Sequence, residues 1–290
     1  MANGKFWPVN VSLLSLCLEG GSRVNRTVIL GIVATVLLVS GLTLWSTPKS
    51  QAASSVSCQR LSIPAYFYPG PLWDQAIAGS PIVGIMTMNP ASGPGAASNP
   101  DYVAAVKKAQ SAFILVIGYV HTSYGVRPLA DVEAEIDKYK AWYHVNGIFV
   151  DEVSSNALVL PYYQKLANYI RATRVQLVML NPGTVPDQGY MKVGDVVVVF
   201  EGNYSSYLLL PPLPRWVSSY SPHRFSHLIY GVPSDPGAPT MSAAMTQVID
   251  LSRQRNAGHV YVTNDDLPNP WDTLTTYWSK ELSNTNCRRN

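Results

Sequence analysis

Two short stretches of this chain combine a buried-type strand with a carboxylate at its end. Gly147-Ile148-Phe149-Val150 runs directly into Asp151 and Glu152, and Val196-Val197-Val198-Val199-Phe200 runs into Glu201 and Gly202. Apolar runs this short leave no room for a helix and read as strands covered on both faces. An acid at the last position of such a strand sits where a parallel sheet opens to solvent, the rim on which α/β folds build their sites. Carboxyl groups sharing one cleft suit the hydrolysis of a glycosidic bond. One protonates the departing oxygen while the other attacks the anomeric carbon or activates water. Crowding in a partly dry cleft raises at least one pKa, so that group still carries a proton near neutral pH. On this reading Glu201, alone at its strand end, is the acid/base and Asp151 the nucleophile or charge stabiliser. Glu152, which alternation turns away from Asp151, orients or contacts substrate.

Other strand ends carry residues that handle sugars: Asn89, His121, Asn181, and Asn264 with Asp265. Tyr66, Tyr68, Tyr124, Tyr204 and Tyr261 lie in or near the same rims, as do Trp73 and Trp271. Flat rings stack on the C–H faces of sugars, while amides and carboxylates satisfy the hydroxyls, so the expected ligand is a polysaccharide. Each residue also has a plainer role open to it. Tyr66 and Tyr68 can be core packing, His121 a hydrogen-bonded structural group, and Asn264-Asp265-Asp266 a simple turn. Trp271 can pack beneath the last helix. No metal-ligand spacing is present, the five histidines are scattered, and no cofactor is expected.

These ends must be held by an alternation of strands and helices. Strands are expected at 63–68, 82–88, 113–120, 147–152, 175–180, 195–200, 227–230 and 259–263. A helix starts at Asn99-Pro100, a side-chain cap followed by proline at the first helical position. Leu129, Val132, Ile136, Tyr139 and Tyr143 recur at helical spacing, and further helices are expected near 161–171 and 241–253. Eight interleaved strands point to a (β/α)8 TIM-type barrel. Its irregular part is the Pro-, Ser- and Tyr-rich stretch after strand six, 204–225, where no helix is evident. An incomplete barrel is the main rival. A doubly wound sheet is disfavoured because no Gly-rich phosphate loop follows the first strand.

The chain has 290 residues, 47% hydrophobic and 13% charged, enough to build a sizeable core. Its formal charge of +3 resides in residues 1–52, which leaves 17 of the 21 basic and 17 of the 18 acidic residues to the remainder. No basic tract points to nucleic acid. The expected organisation is a polar tail (1–27), an apolar segment (28–45), a linker (46–60) and the barrel (61–290). The 18 uncharged residues of 28–45 follow Arg23 and Arg26. They suit a retained signal-anchor, N-terminus inside, or a signal peptide cleaved near Ser50-Gln51-Ala52. Either way the barrel is exported, as a membrane-anchored or secreted monomer. Cys58 and Cys287 bracket it and can pair as a disulfide contributing ~4 kcal/mol, or remain free. Asn203-Tyr204-Ser205 is a glycosylation acceptor pattern.

Several blocks are similar to the spherulin-4 family of glycoside hydrolases. They are residues 63–70, Asn89-Pro90-Ala91-Ser92-Gly93-Pro94-Gly95 and Gly118-Tyr119-Val120-His121-Thr122, followed by residues 147–152, Asn181-Pro182-Gly183-Thr184 and Phe200-Glu201-Gly202. The resemblance covers about 63–263 in the same order. It implies a (β/α)8 endo-enzyme cutting α-1,4-linked N-acetylgalactosamine in galactosaminogalactan, a secreted polysaccharide, and it places the family's acids at Asp151, Glu152 and Glu201. The stretch 205–214 and the C-terminal tail look less typical. Two other functions compete: a barrel that grips cell-wall sugar without cutting it, and a structural wall or spore-coat protein.

Overall fold

Eight apolar runs become eight parallel strands, and the computed structural model, which describes residues 59–175 and 177–285, shows them joined edge to edge. In chain order they are β1 (Arg60–Ala65), β2 (Val83–Met88), β3 (Leu115–His121), β4 (Gly147–Asp151), β5 (Leu177–Leu180), β6 (Val196–Asn203), β7 (Phe225–Tyr230) and β8 (His259–Val262). β8 closes onto β1 through Arg60↔His259 and Leu61↔Val260, so the barrel is complete. Around it lie α1 (Pro71–Ala78), α2 (Pro100–Ser111), α3 (Leu129–Lys138), α4 (Leu160–Ala172), α5 (Tyr204–Leu208), α6 (Ala243–Gln254) and α7 (Trp278–Thr285).

Local chemistry explains the boundaries. Asn99 caps α2 by accepting the Asp101 N–H at 2.9 Å, ahead of Pro100. The expected long helix at 129–143 is α only as far as Lys138; a π turn, Tyr139–Tyr143, follows. That wider turn buries both Tyr139 and Tyr143 against the barrel. Gly118 makes the approach possible, because a Cβ there would lie 2.5 Å from the Tyr139 ring. β1 begins three residues earlier than expected and ends at Ala65. Gln59 is anchored to Ser252 and Ala257, which draws the strand's head against β8.

After β6 the regular helix is only the five residues of α5, followed by 3-10 turns at Arg215–Ser219 and Pro222–Arg224. A separate apolar cluster of Met191, Val197, Val199, Val217 and Phe225 seals the outer face there.

One irregularity decides the site. Val198 pairs with Ser226 and Phe200 with His227, so Val199 is an extra residue, a β-bulge. Val198 lies in the main core, whereas Val199 joins the outer cluster and Phe200 packs on Tyr207 and His227. Strict alternation from Val198 would turn Glu201 outward; the extra residue turns it inward.

The polar tail 1–27, the apolar run 28–45, residues 46–58 of the expected linker 46–60, Cys17, Cys58 and Cys287 lie outside the described residues. Among the described residues no helix is long and apolar enough to cross a membrane.

Candidate active site

Register sets the site's floor and rim. Tyr119 on β3 pairs with Phe149 on β4, and Phe149 with Met179 on β5. One step on, His121 pairs with Asp151, and Asn181 follows β5 directly. Alternation therefore sends Tyr119 and His121, Phe149 and Asp151, and Met179 and Asn181 to the same side of the sheet. The bulge in β6 adds Glu201.

The side chains form a continuous hydrogen-bonded line. The Tyr119 hydroxyl donates to Asp151 Oδ2 at 2.8 Å. Asn181 Nδ2 donates to Asp151 Oδ1 at 2.8 Å and to Glu201 Oε2 at 2.5 Å. Two bonds to one nitrogen hold these carboxylate oxygens within 5.3 Å of each other. The Trp271 side chain also hydrogen-bonds to Glu201. Every one of these side-chain donors is neutral.

Burial without a cation has a definite consequence. The Glu201 carboxyl is pushed up to about 7, first by burial and then by the charge of Asp151, against the pull of hydrogen bonds from Asn181 and Trp271. Burial also raises Asp151, but hydrogen bonds from Tyr119, the Glu152 backbone and Asn181 oppose it. The two acids are thus driven apart: Glu201 holds a proton near neutral pH more readily than Asp151 does. Tyr66 faces both acids, and their charges add to burial in raising its hydroxyl.

Glu152 sits beside this line. Its φ of 51° is a strained value for a side-chain-bearing residue. Its carbonyl accepts from Thr122 Oγ1 at 2.9 Å and from the Tyr124 N–H at 2.7 Å, which hold the turn. The carboxylate accepts the Ser123 N–H at 3.1 Å and lies 3.5 Å from His121 Nδ1. Glu152 and His121 therefore form a rim pair next to Asp151. Tyr124, also at positive φ, holds its ring 63% exposed on the same loop.

Other expected site residues are used elsewhere. Tyr68 does not follow Tyr66, because β1 ends at Ala65 and alternation ends with it; its hydroxyl donates to Asp101 at 2.7 Å. Asn89 closes its own loop by accepting the Gly93 N–H. Tyr204 begins α5 and bonds to Gln247 on α6. Tyr261 is fully buried, its hydroxyl donating to the Thr273 carbonyl. Asn264 accepts from Thr275 and Thr276, and Asp265 binds the Asp266 N–H, both serving the loop after β8.

Tyr119 and Tyr230 are site residues that sequence reasoning left out, and Trp271, expected near the rim, bonds to Glu201 instead of only packing beneath the last helix. Tyr119 was within reach: two residues before His121 on one strand, it must share His121's face. Trp271 lies in an irregular loop where no period announces its direction. Tyr230 ends β7 and stands edge-on to Trp271, its ring centroid 6.1 Å away.

This face of the barrel is acidic. Its strand ends and following loops hold Asp151, Glu152, Asp187, Glu201, Asp235, Asp265, Asp266 and Asp272. Among the described residues of the same connections, the basic ones are Lys192 and Arg127, the latter paired with Glu135 at 2.5 Å. A separate cavity of about 520 Å³ beside residues 210–218 and the end of α6 contains no carboxylate in its lining. No group of three or more His, Cys, Asp or Glu among the described residues is placed to hold a metal ion.

Comparison with known proteins agrees with the barrel fold. The model of the spherulation-specific family 4, Spherulin4, matches residues 60–284. Spherulin-4 of Physarum polycephalum is 36% identical over 247 residues, covering 80% of this chain and 71% of that protein. The crystal structure of Aspergillus clavatus Sph3 in complex with GalNAc aligns with a TM-score of 0.68 at 25% identity. The alignment covers 79% of this chain and 98% of that one.

Proposed function

The chain belongs to the spherulation-specific family 4, and on that premise we propose that it is an endo-glycoside hydrolase. Its substrate on this reading is α-1,4-linked N-acetylgalactosamine in galactosaminogalactan or a related secreted polysaccharide. One observation carries the proposal: the amide of Asn181 binds Asp151 and Glu201 at once, so both acids reach a single sugar linkage. The GalNAc held by the structurally similar Aspergillus protein supports the choice of sugar.

On this proposal the steps divide between the two acids. Glu201, protonated up to about pH 7, gives its proton to the departing glycosidic oxygen. Asp151, kept an acceptor by three hydrogen bonds, attacks the anomeric carbon from the other side of the bond. Glu201, now ionised, takes a proton from the water that releases the sugar. Carboxyl groups about 5–5.5 Å apart belong to retaining enzymes, and about 6.5–9.5 Å to inverting ones. The contact of both acids with one amide supports the retaining route in this proposal. The proposal gives Glu152, His121 and the exposed Tyr124 ring contacts with flanking sugars. The barrel works outside the cytoplasm, delivered by the 28–45 segment.

The test is to incubate the full chain with galactosaminogalactan and follow new reducing ends. Release that disappears in Asp151→Asn supports the proposal. Tight binding without release would instead favour a sugar-gripping barrel, and neither binding nor release a structural protein.

A further inference from the structure

We propose that Asn181 is not a sugar contact but a positioning residue, a fixed double donor that sets the geometry and proton inventory of the Asp151–Glu201 pair. The inference rests on the reading of those two acids as the reacting pair. The amide cannot rotate freely. Its Oδ1 accepts the Gly183 N–H at 3.0 Å, and Gly183 adopts a left-handed φ of 63° to present that N–H. The Glu201 N–H in turn donates to the Gly183 carbonyl at 3.0 Å, so the same turn is tied to the strand carrying the second acid. With the oxygen fixed, both Nδ2 hydrogens must point toward the carboxylates, at 2.8 and 2.5 Å. The residue is 5% exposed, and its amide oxygen and both amide hydrogens are engaged, leaving little for a sugar hydroxyl.

The chemistry this supplies is specific. A neutral donor shared by two acids favours the ionised form of each without adding a charge that would favour both being ionised together. The Asn181 bonds act in that direction on Asp151 and on Glu201. Losing them raises both titrations, whereas losing a substrate contact moves neither.

The experiment uses the full chain with Asn181→Ala and Asn181→Leu, which keeps the packing volume but has no hydrogen to donate and adds no charge. Carboxyl ¹³C titration of the free protein, assigned with Glu201→Gln and Asp151→Asn, reads the pair directly without any turnover. The expected result is that both titrations rise by about one pH unit, the scale of one hydrogen bond to a charged group. In the hydrolysis assay both limbs of the pH–rate profile move up with them, and kcat falls more than tenfold while KM changes less than threefold. Unmoved carboxyl titrations overturn the inference, as does a KM rise with kcat and both limbs unchanged. Asn181→Leu retains the packing volume should the alanine variant fail to fold. If no polysaccharide is cleaved by the parent chain, the titration still decides the role of Asn181, and only the functional reading fails.

Discussion

Replacing Glu201 by glutamine is expected to abolish turnover and, at alkaline pH, to make the protein more stable. The carboxyl titrates at about 7 in the folded chain against an ordinary 4.5, chiefly because it is buried. A folded-state value raised above the unfolded one means that folding is opposed once the group ionises. The carboxyl costs nothing well below pH 4.5; its cost grows between about 4.5 and 7 and levels off above that. A rise from 4.5 to about 7 is equivalent to about 3 kcal/mol at full ionisation. Glutamine keeps the shape and can still accept from Asn181, but carries no charge, so it escapes this cost. For a domain of this size the gain amounts to about 6–12 °C in melting temperature at pH 8.5, at about 2–4 °C per kcal/mol. At pH 4.5 the two proteins should melt alike. Turnover falls ~10²–10⁴-fold, the scale of a lost acid/base group, and the alkaline limb near 7 vanishes with it. Paired thermal melts from pH 4 to 9 check the first part, and reducing-end assays the second. A stability difference that does not grow with pH would refute the burial argument, and near-normal turnover would refute the role of Glu201.

Asp151→Asn should melt like the parent below about pH 3.8 and no lower than the parent above it, because burial raises the carboxyl it replaces, and should lose ~10²–10⁴-fold in turnover, read by the same assay. Proton NMR of the first sugar released should show retained configuration; an inverted product means that the two carboxyls act across a water. Gly118→Ala should destabilise the barrel by about 1–3 kcal/mol, measured by urea unfolding, because the new Cβ meets the Tyr139 ring at 2.5 Å. The acidic mouth should favour chains bearing free amines: at low salt, kcat/KM on partly deacetylated polymer should exceed that on fully acetylated polymer several-fold. The advantage should shrink toward 0.15 M salt, where charges more than about 8 Å apart are screened.

What could be read before the structure was known followed from burial. A strand covered on both faces is apolar along its whole length, so each of the eight barrel strands showed as a short apolar run. The acids stood out because they interrupt such runs. Direction was harder to read. Tyr66 and Tyr68 share a side only while the strand lasts, and β1 stops at Ala65 once its head is drawn toward β8. Tyr261 carries the same ring as Tyr66, yet lies fully buried with its hydroxyl on the Thr273 carbonyl. Nothing in residue type separates the two; position relative to the strand's end does.

Glu201 is the sharper case, because its inward direction does not follow from the pattern that made it conspicuous. In Val196-Val197-Val198-Val199-Phe200 every residue is apolar, so alternation leaves no mark and the bulge at Val199 cannot be located from the sequence. A run apolar on both faces can absorb one extra residue without exposing anything, since Val199 and Phe200 both find apolar partners outside the barrel. The tolerance of a fully buried strand to a change of phase is therefore what allows an acid to be aimed into the barrel mouth. Once there, with neutral donors on its oxygens and Asp151 within reach of the same amide, Glu201 is driven toward keeping a proton near neutral pH. Charge repulsion and burial act in the same direction on it, and the acid role follows from that placement.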